Sequence, residues 1–280
     1  GTVLGATCWA GAMTVAEALS TTSHAKEIVP GDVPGGPSTS QTIMMGSLRR
    51  LLSLVPADAP PDAYRFAVMT ENVLAKDTTS GREWAFRQLR RFYSLDPHSL
   101  LFRALRDVWE HDAAGQPLLA LLCAIARDPV LRASSAVILA AEPGAVVGPS
   151  DLEPAIEAAF PGAYNENTRR TTAQKIASSW AQSGHLHAET PTRKVRVRVH
   201  PTPAVVAYAL LLGDLQGARG HGLFTTLWAR ILDQPKSHLF DLAATASQNG
   251  ILEFRNAGGV VEVTFHHLLR PFADEQGTLQ

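Results

Sequence analysis

Polar and apolar positions change period near residue 184. Upstream, Ala173, Ile176, Ala177, Trp180 and Ala181 fall at i, i+3, i+4, i+7 and i+8, one apolar stripe of an amphipathic helix. Asn165 or Asn167 predicts the helix start, because a short polar side chain accepts an orphan backbone N–H. Gly184 predicts its end, since glycine enters the left-handed region that closes a helix. Downstream the period becomes two. Val195, Val197 and Val199 alternate with Lys194, Arg196 and Arg198, which predicts a strand with valines inward and cations outward. Residues 185–189 are expected to pair with it across a turn at Thr190-Pro191-Thr192. Helix, glycine and hairpin in this order predict a winged helix-turn-helix, with the helix for a groove and the hairpin as wing.

Most of the remaining pattern is helical. Residues 1–42 carry Pro-Gly and Ser-Thr-Ser clusters at 30–40, which predict a linker with poor packing after a short helix at 15–19. Residues 47–141 read as helices throughout. The segment 47–54 brings Leu48, Leu51, Leu52 and Leu54, and prolines break the pattern at 60–61. Asp62 then opens a helix carrying Tyr64, Phe66, Val68, Met69, Val73 and Leu74. The next, capped by Thr79 or Ser80, has Trp84, Leu89 and Phe92 inward, and another covers 99–112. Residues 116–126 are apolar on nearly every side, the expected central buried helix. Asp128-Pro129 starts a further one, with proline at the first turn where its missing N–H is harmless. Residues 149–160 and 203–212 predict helices on either side of the winged element.

The pattern also repeats. Superposing Gly184 on Gly250 places Ala173, Ile176 and Ala177 on Leu239, Leu242 and Ala243, and Leu186 on Leu252. Val195, Val197 and Val199 then fall on Val261, Val263 and Phe265 with no gap. Stripe, glycine and strand in one register imply a second copy over about 222–266, with its turn at 256–259. The expected fold class is therefore mainly α. A flexible or poorly packed extension over 1–45 precedes a helical bundle over 46–148. Two winged-helix-like modules with small antiparallel hairpins follow, over 149–201 and 202–280.

Charge distinguishes the two copies. The net charge of −1 excludes nucleic-acid binding through bulk charge, so any such binding rests on a local patch. The first module has one. Its helix carries Thr168, Arg169, Arg170, Thr171, Lys175, Ser178 and Gln182. Its hairpin carries Arg193, Lys194, Arg196 and Arg198, against only Glu166 and Glu189. Short hydrogen-bonding side chains around cations suit phosphate oxygens and base edges. The alternative is a solvated helix face beside a charged strand edge, where cations discourage edge pairing. In the second copy Lys175 becomes Asp241, and the wing holds Glu253, Arg255 and Glu262, which fits packing or a protein contact. Arg82, Arg87, Arg90 and Arg91 share one helix with Glu83 as its acid. They form a candidate secondary DNA contact, or a solvated face whose stems cover apolar surface.

Catalytic signatures are missing. The chain has no P-loop, HExxH, GxSxG or Cys-rich zinc spacing, and no two carboxylates are placed on one cleft. It is expected to be no enzyme and to take no cofactor. His185, His187 and His200 have the chemistry to hold a metal, but exposed histidines beside a basic wing are the simpler reading, so no metal site is expected. Cys8 and Cys123 lie far apart without a disulfide framework, which fits a reducing cytoplasm; Cys123 reads as a small buried hydrophobe. The longest apolar run, 117–126, falls short of the ~20 residues of a membrane span. No basic leader precedes the small residues of the N-terminus, so no signal peptide is expected.

Three stretches carry a family resemblance: GREWAFRQLRRFYSLD (81–96), LLALLCAIARDPVLR (118–132) and RRTTAQKIASSWAQSGHL (169–186). Together with the terminal GILEFRNAGGVVEVT (250–264), they make residues 47–267 similar to BrxA, an accessory protein family of BREX phage defence. None of these stretches is a catalytic signature. The resemblance implies a non-catalytic DNA-binding component of a bacterial anti-phage system, working beside a methyltransferase and other BREX proteins. Some family members carry an inner-membrane label, which the apolar runs here do not support. No family set of DNA-contacting residues transfers, so the candidate residues come from the helix face and wing alone. The expected partners are double-stranded DNA and other BREX proteins, with no membrane and no small-molecule substrate. Two alternatives stay open: a protein-interaction scaffold of the same complex, and a winged-helix transcriptional regulator with a specific operator.

Overall fold

Residues 118–126 contain nothing more polar than a cysteine, so a helix built from them gains most by being surrounded. In a computed structural model it is: the helix Gln116–Arg127 (α5) buries every side chain from Leu118 to Ala126. It packs against Met45–Leu54 (α1), Thr79–Tyr93 (α3), Leu100–Trp109 (α4), Glu166–Gln182 (α9) and Pro203–Leu215 (α10). The structure describes residues 24–29, 41–190 and 193–270. The other α-helices among them are Pro61–Met69 (α2), Pro129–Ala133 (α6), Ser135–Ala140 (α7), Pro149–Ala159 (α8), Leu227–Ile231 (α11) and Lys236–Gln248 (α12), with 3-10 turns at Ala25–Glu27 and Gly220–Thr225. Two antiparallel hairpins complete the set: Leu186–Ala188 (β1) with Lys194–Arg196 (β2), and Glu253–Ala257 (β3) with Val260–Thr264 (β4). The protein is thus mainly α. One continuous cluster of buried side chains runs from Ile28 to Leu268, so bundle and modules share a core. Cys123 lies in it, its thiol pushed up to about 11 by burial.

Several local expectations shift. The cap of α3 is Thr78, whose hydroxyl accepts the Gly81 N–H, rather than Thr79 or Ser80. Helix α2 ends at Met69, which leaves Val73 and Leu74 in the following loop, and Phe66, like Leu54 at the end of α1, is exposed. Part of the segment expected to pack poorly is well seated. The Glu27 carboxylate caps α4, accepting from the Leu100 and Leu101 amides at 2.9 and 3.0 Å and from the Ser99 hydroxyl at 2.6 Å. Burial alone would raise its pKa, but His24, Ser99 and the two amides together bring it below the usual value. Ile43, Met44 and Met45 are buried as well. The expected short helix at 15–19, Cys8, and Pro191 and Thr192 of the wing turn lie outside the described residues.

Helix α9 forms for the reasons the pattern suggests. Asn165 caps it by accepting the Thr168 N–H at 2.9 Å, and Gly184 follows at φ +91°. Ala173, Ile176, Ala177 and Trp180 are fully buried. The Trp180 indole N–H donates to the Ser134 hydroxyl at 2.7 Å, and its ring meets His185 edge-on with centroids 4.8 Å apart. A large apolar ring with its one polar atom satisfied is the best use of an interior position. Replacing Trp180 by Ala should therefore lower unfolding stability by ~3–5 kcal/mol, read from urea denaturation followed by circular dichroism. A variant as stable as the parent would contradict this account of how α9 is anchored.

The hairpins correct the sequence reading. In β1–β2, Leu186 pairs with Arg196 and Ala188 with Lys194. Leu186, Lys194 and Arg196 are buried, whereas His187 is exposed and Val195 and Val197 are half-buried. The expected facing is inverted over 194–197, whereas Val199 is buried and Arg198 exposed as expected. The cause is a further segment on the free edge of β2. The Gly144 and Val147 amides donate to the Arg196 and Lys194 carbonyls at 2.8 and 2.9 Å, and the Arg196 amide donates to the Ala145 carbonyl at 2.8 Å. A strand paired on both edges has its register set by neighbours, and an odd slip moves every side chain to the other face. In the second hairpin Glu253 pairs with Thr264, three residues from the position matching the first copy. There the expected residues Val261, Val263 and Phe265 do point inward. Gly258 and Gly259, both at positive φ, form its two-residue turn.

Candidate nucleic-acid interface

The buried stripe of α9 leaves the opposite face to solvent, and the structure divides the candidate residues along it. Thr168, Arg170 and Thr171 are exposed, with Asn167 and Gln174 beside them; Lys175 and Ser178 are half-buried. Arg170 forms an ion pair with Glu166 one turn back at 3.3 Å, and the Thr171 hydroxyl donates to the Asn167 carbonyl. The Ser178 hydroxyl is similarly turned onto its own helix, donating to the Gln174 carbonyl.

Two members of the expected set are committed to other tasks. Arg169 reaches across to α8, where it meets Glu157 at 3.0 Å and Glu153 at 3.6 Å and ties the two helices together. Gln182 accepts the Met45 N–H at 2.9 Å, and Ser179 accepts the Ile43 N–H at 3.1 Å, so this end of α9 holds the start of α1. Arg169 and Gln182 were both expected to face DNA. Helix packing takes them, because partners far away in sequence lie against that side of α9.

The wing differs most. Lys194 and Arg196, expected to point outward, are buried. Arg196 donates from Nε to the Ile138 carbonyl at 2.9 Å, hydrogen-bonds the Val197 carbonyl, and meets the Asp233 carboxylate at 2.8 Å. It is an internal tie between the hairpin, α7 and the turn after α11. Arg193 and Arg198, which flank β2, remain exposed; Arg193 pairs with Glu189 at 2.6 Å.

His185, His187 and His200 do not gather. His185 is fully buried, while the other two are exposed. Its Nε2 lies 2.8 Å from the Ile231 carbonyl and so carries the hydrogen, leaving Nδ1 to accept from the Ser183 hydroxyl at 2.9 Å. No group of three metal-ligating side chains occurs among the described residues.

On α3 the four arginines also separate. Arg82 donates to the Met69 carbonyl at 3.0 Å, and Arg91 lies 3.7 Å from the buried Asp128 carboxylate. Arg87 and Arg90 are exposed and face a groove that Arg65 of α2 also lines. Sequence spacing does not single out Arg65. It lies on another helix, and only the α2–α3 packing brings it near the others.

Comparison with protein families, with characterised proteins and with solved structures finds no match. No described helix is long and apolar enough to cross a membrane.

The buried imidazole has a consequence for stability. Desolvation holds the His185 pKa down to about 4 from an ordinary 6.5, partly countered by the Ile231 carbonyl. The unfolded chain thus takes up a proton below pH 6.5 that the folded one refuses, so stability is full above pH 6.5 and falls as pH drops towards 4. The contribution of this one group approaches ~1.4 kcal/mol per pH unit in that window. Denaturation midpoints measured across it should fall for the parent and fall less steeply for His185→Gln. Parallel pH profiles would remove His185 as the cause.

Proposed function

We propose that the chain is a non-catalytic DNA-binding component of a bacterial anti-phage defence system of the BREX type, and that it meets duplex DNA through the exposed face of α9 and the hairpin beside it. The observation that carries this reading is the division of α9 into two faces. One is immobilised by Trp180, Arg169 and Gln182, and the other presents Thr168, Arg170, Thr171 and Gln174 to solvent. A rigid helix with short hydrogen-bonding side chains outward suits a groove or a phosphate backbone. Arg193 and Arg198 extend the cationic surface to the hairpin. The pairs that hold Arg170 and Arg193 are exposed, and such pairs contribute only ~0–1 kcal/mol, so a phosphate can replace the carboxylate. Charge-assisted hydrogen bonds to phosphate are the stronger ones. With short side chains on the outward face, base discrimination should be modest, which argues against an operator-specific regulator. The defence setting rests on the resemblance of residues 81–96, 118–132 and 169–186.

A second reading has its own observation. The second hairpin exposes Val260 at its turn, 69% accessible, on a module whose charges are balanced. That favours a protein partner for this end of the chain, as in a scaffold of the same complex.

The combined variant Arg170→Ala, Arg193→Ala, Arg198→Ala tests the first reading. Its affinity for duplex DNA should fall whatever the sequence, and the slope of log K against log salt should become shallower by about 0.9 for each phosphate no longer neutralised. Lys236→Ala, at the exposed start of α12 in the second module, should change neither. Fluorescence anisotropy over a salt series reads both quantities. Unchanged binding by the triple variant would move the conclusion to the protein-partner reading.

A further inference from the structure

Most cations of the α9 surface are engaged with carboxylates. The arginines around one groove on the bundle are not. Arg65 of α2 and Arg87 and Arg90 of α3 line a cavity of about 290 Å³, together with Phe86 and Glu83. All three arginines are exposed, and none forms an ion pair among the described residues, although Glu83 stands one turn before Arg87. The Arg65 guanidinium lies over the Phe86 ring, 5.8 Å from its centroid, and Phe86 is itself nearly buried. An aromatic face under a guanidinium fixes its plane while leaving its N–H groups free to point elsewhere.

Three guanidiniums against one carboxylate repel one another unless an anion sits between them. The side walls are helices packed into the core: Leu89 and Phe92 of α3 and Tyr64 and Val68 of α2 are fully or almost fully buried. The groove is therefore shaped by the fold rather than by mobile chain. Arg82 and Arg91, on the same helix, show the contrast, since each is already engaged by a backbone carbonyl or a buried aspartate. Arg91, next to Arg90 in the chain, lies towards the start of α9. Arg91 meets Asp128, and both act electrostatically on Tyr164, the residue just before the α9 cap.

We propose that the groove formed by Arg65, Arg87, Arg90 and Phe86 binds a phosphate group, taking it from the backbone of the duplex that α9 meets. Arginine suits this role because its planar fork of donors matches phosphate oxygens, and Phe86 keeps one fork in place. As a backbone site the groove would add affinity and orientation without reading sequence. The choice of a duplex as the source of the phosphate rests on the function proposed above; the phosphate chemistry of the groove stands by itself. A free phosphorylated molecule is the other source, and the experiment separates the two.

The test uses the full chain and two variants of the groove, Arg87→Glu with Arg90→Glu, and Arg87→Lys with Arg90→Lys. Thermal melting confirms that each folds, which is expected because both positions are exposed. Binding of a 20-base-pair duplex is measured by anisotropy over a salt series, and binding of inorganic triphosphate by thermal shift. The charge-reversed variant should lose at least tenfold in duplex affinity with a shallower salt slope, and the lysine variant should recover most of it. A parent that binds triphosphate but no duplex, with the triphosphate shift abolished by charge reversal, would keep the phosphate site and reject the duplex. A drop in the α9 triple variant alone, with charge reversal in the groove changing neither ligand, would overturn the phosphate site and leave the α9 interface standing. Full duplex affinity in the α9 variant with a drop in the groove variant would do the reverse.

Discussion

The Arg196 guanidinium sits inside the protein, with the Ile138 and Val197 carbonyls and the Asp233 carboxylate around it. A guanidinium does not shed its charge in a protein, so its burial requires acceptors on several sides. Those acceptors come from α7, from the strand itself and from the turn after α11. The tie therefore sets how the first hairpin lies against the bundle and how the second module meets it. It also decides the candidate interface, because orienting Arg196 inward carries Lys194 and Leu186 to the same side of the hairpin. Once this side is buried, only the flanking Arg193 and Arg198 of the expected wing cations remain to face solvent.

That constraint was not legible in the sequence, and the reason is specific. Alternation along residues 194–199 shows that two faces differ; hydrophobicity then suggests that the valines go inside. Asp233 and the strand-like segment 144–147 overrule that suggestion at Val195 and Val197, and neither is marked by local pattern. The second hairpin lacks such a buried cation, and its Val261 and Val263 face inward as expected. The two copies thus share a helical stripe and a glycine, while their strand registers differ by three residues. Helices were easier to read. The stripe of α9, the cap at Asn165 and the apolar run of α5 depend on periods and local hydrogen bonds that sequence records directly.

The candidate site was legible to the same uneven degree. Thr168, Arg170 and Thr171 followed from geometry within one helix, and the structure exposes them. Arg169 and Gln182 share that helix, but their partners, Glu157 and the Met45 amide, belong to other elements. Arg65 is the converse case: an inconspicuous residue that acquires meaning only when α2 lies beside α3. Residue spacing ranks side chains by face; whether a cation on that face is available depends on which carboxylates and carbonyls the tertiary fold brings to it.

Availability also orders the two cationic surfaces. On α9 and its hairpin, a phosphate must displace Glu166 from Arg170 and Glu189 from Arg193, and the released carboxylates then stand near the incoming anion. Each exposed pair resists this by only ~0–1 kcal/mol, yet the leftover negative charge weakens what is gained. At the α2–α3 groove no pair has to break, and an anion relieves repulsion already present among three guanidiniums. A duplex touching both surfaces would therefore gain proportionally more of its salt-dependent affinity at the groove, while the short side chains of α9 determine how the helix sits against it. In such a complex affinity and orientation would come from different elements, because among the described residues the groove's arginines form no ion pair while the module pairs most of its own.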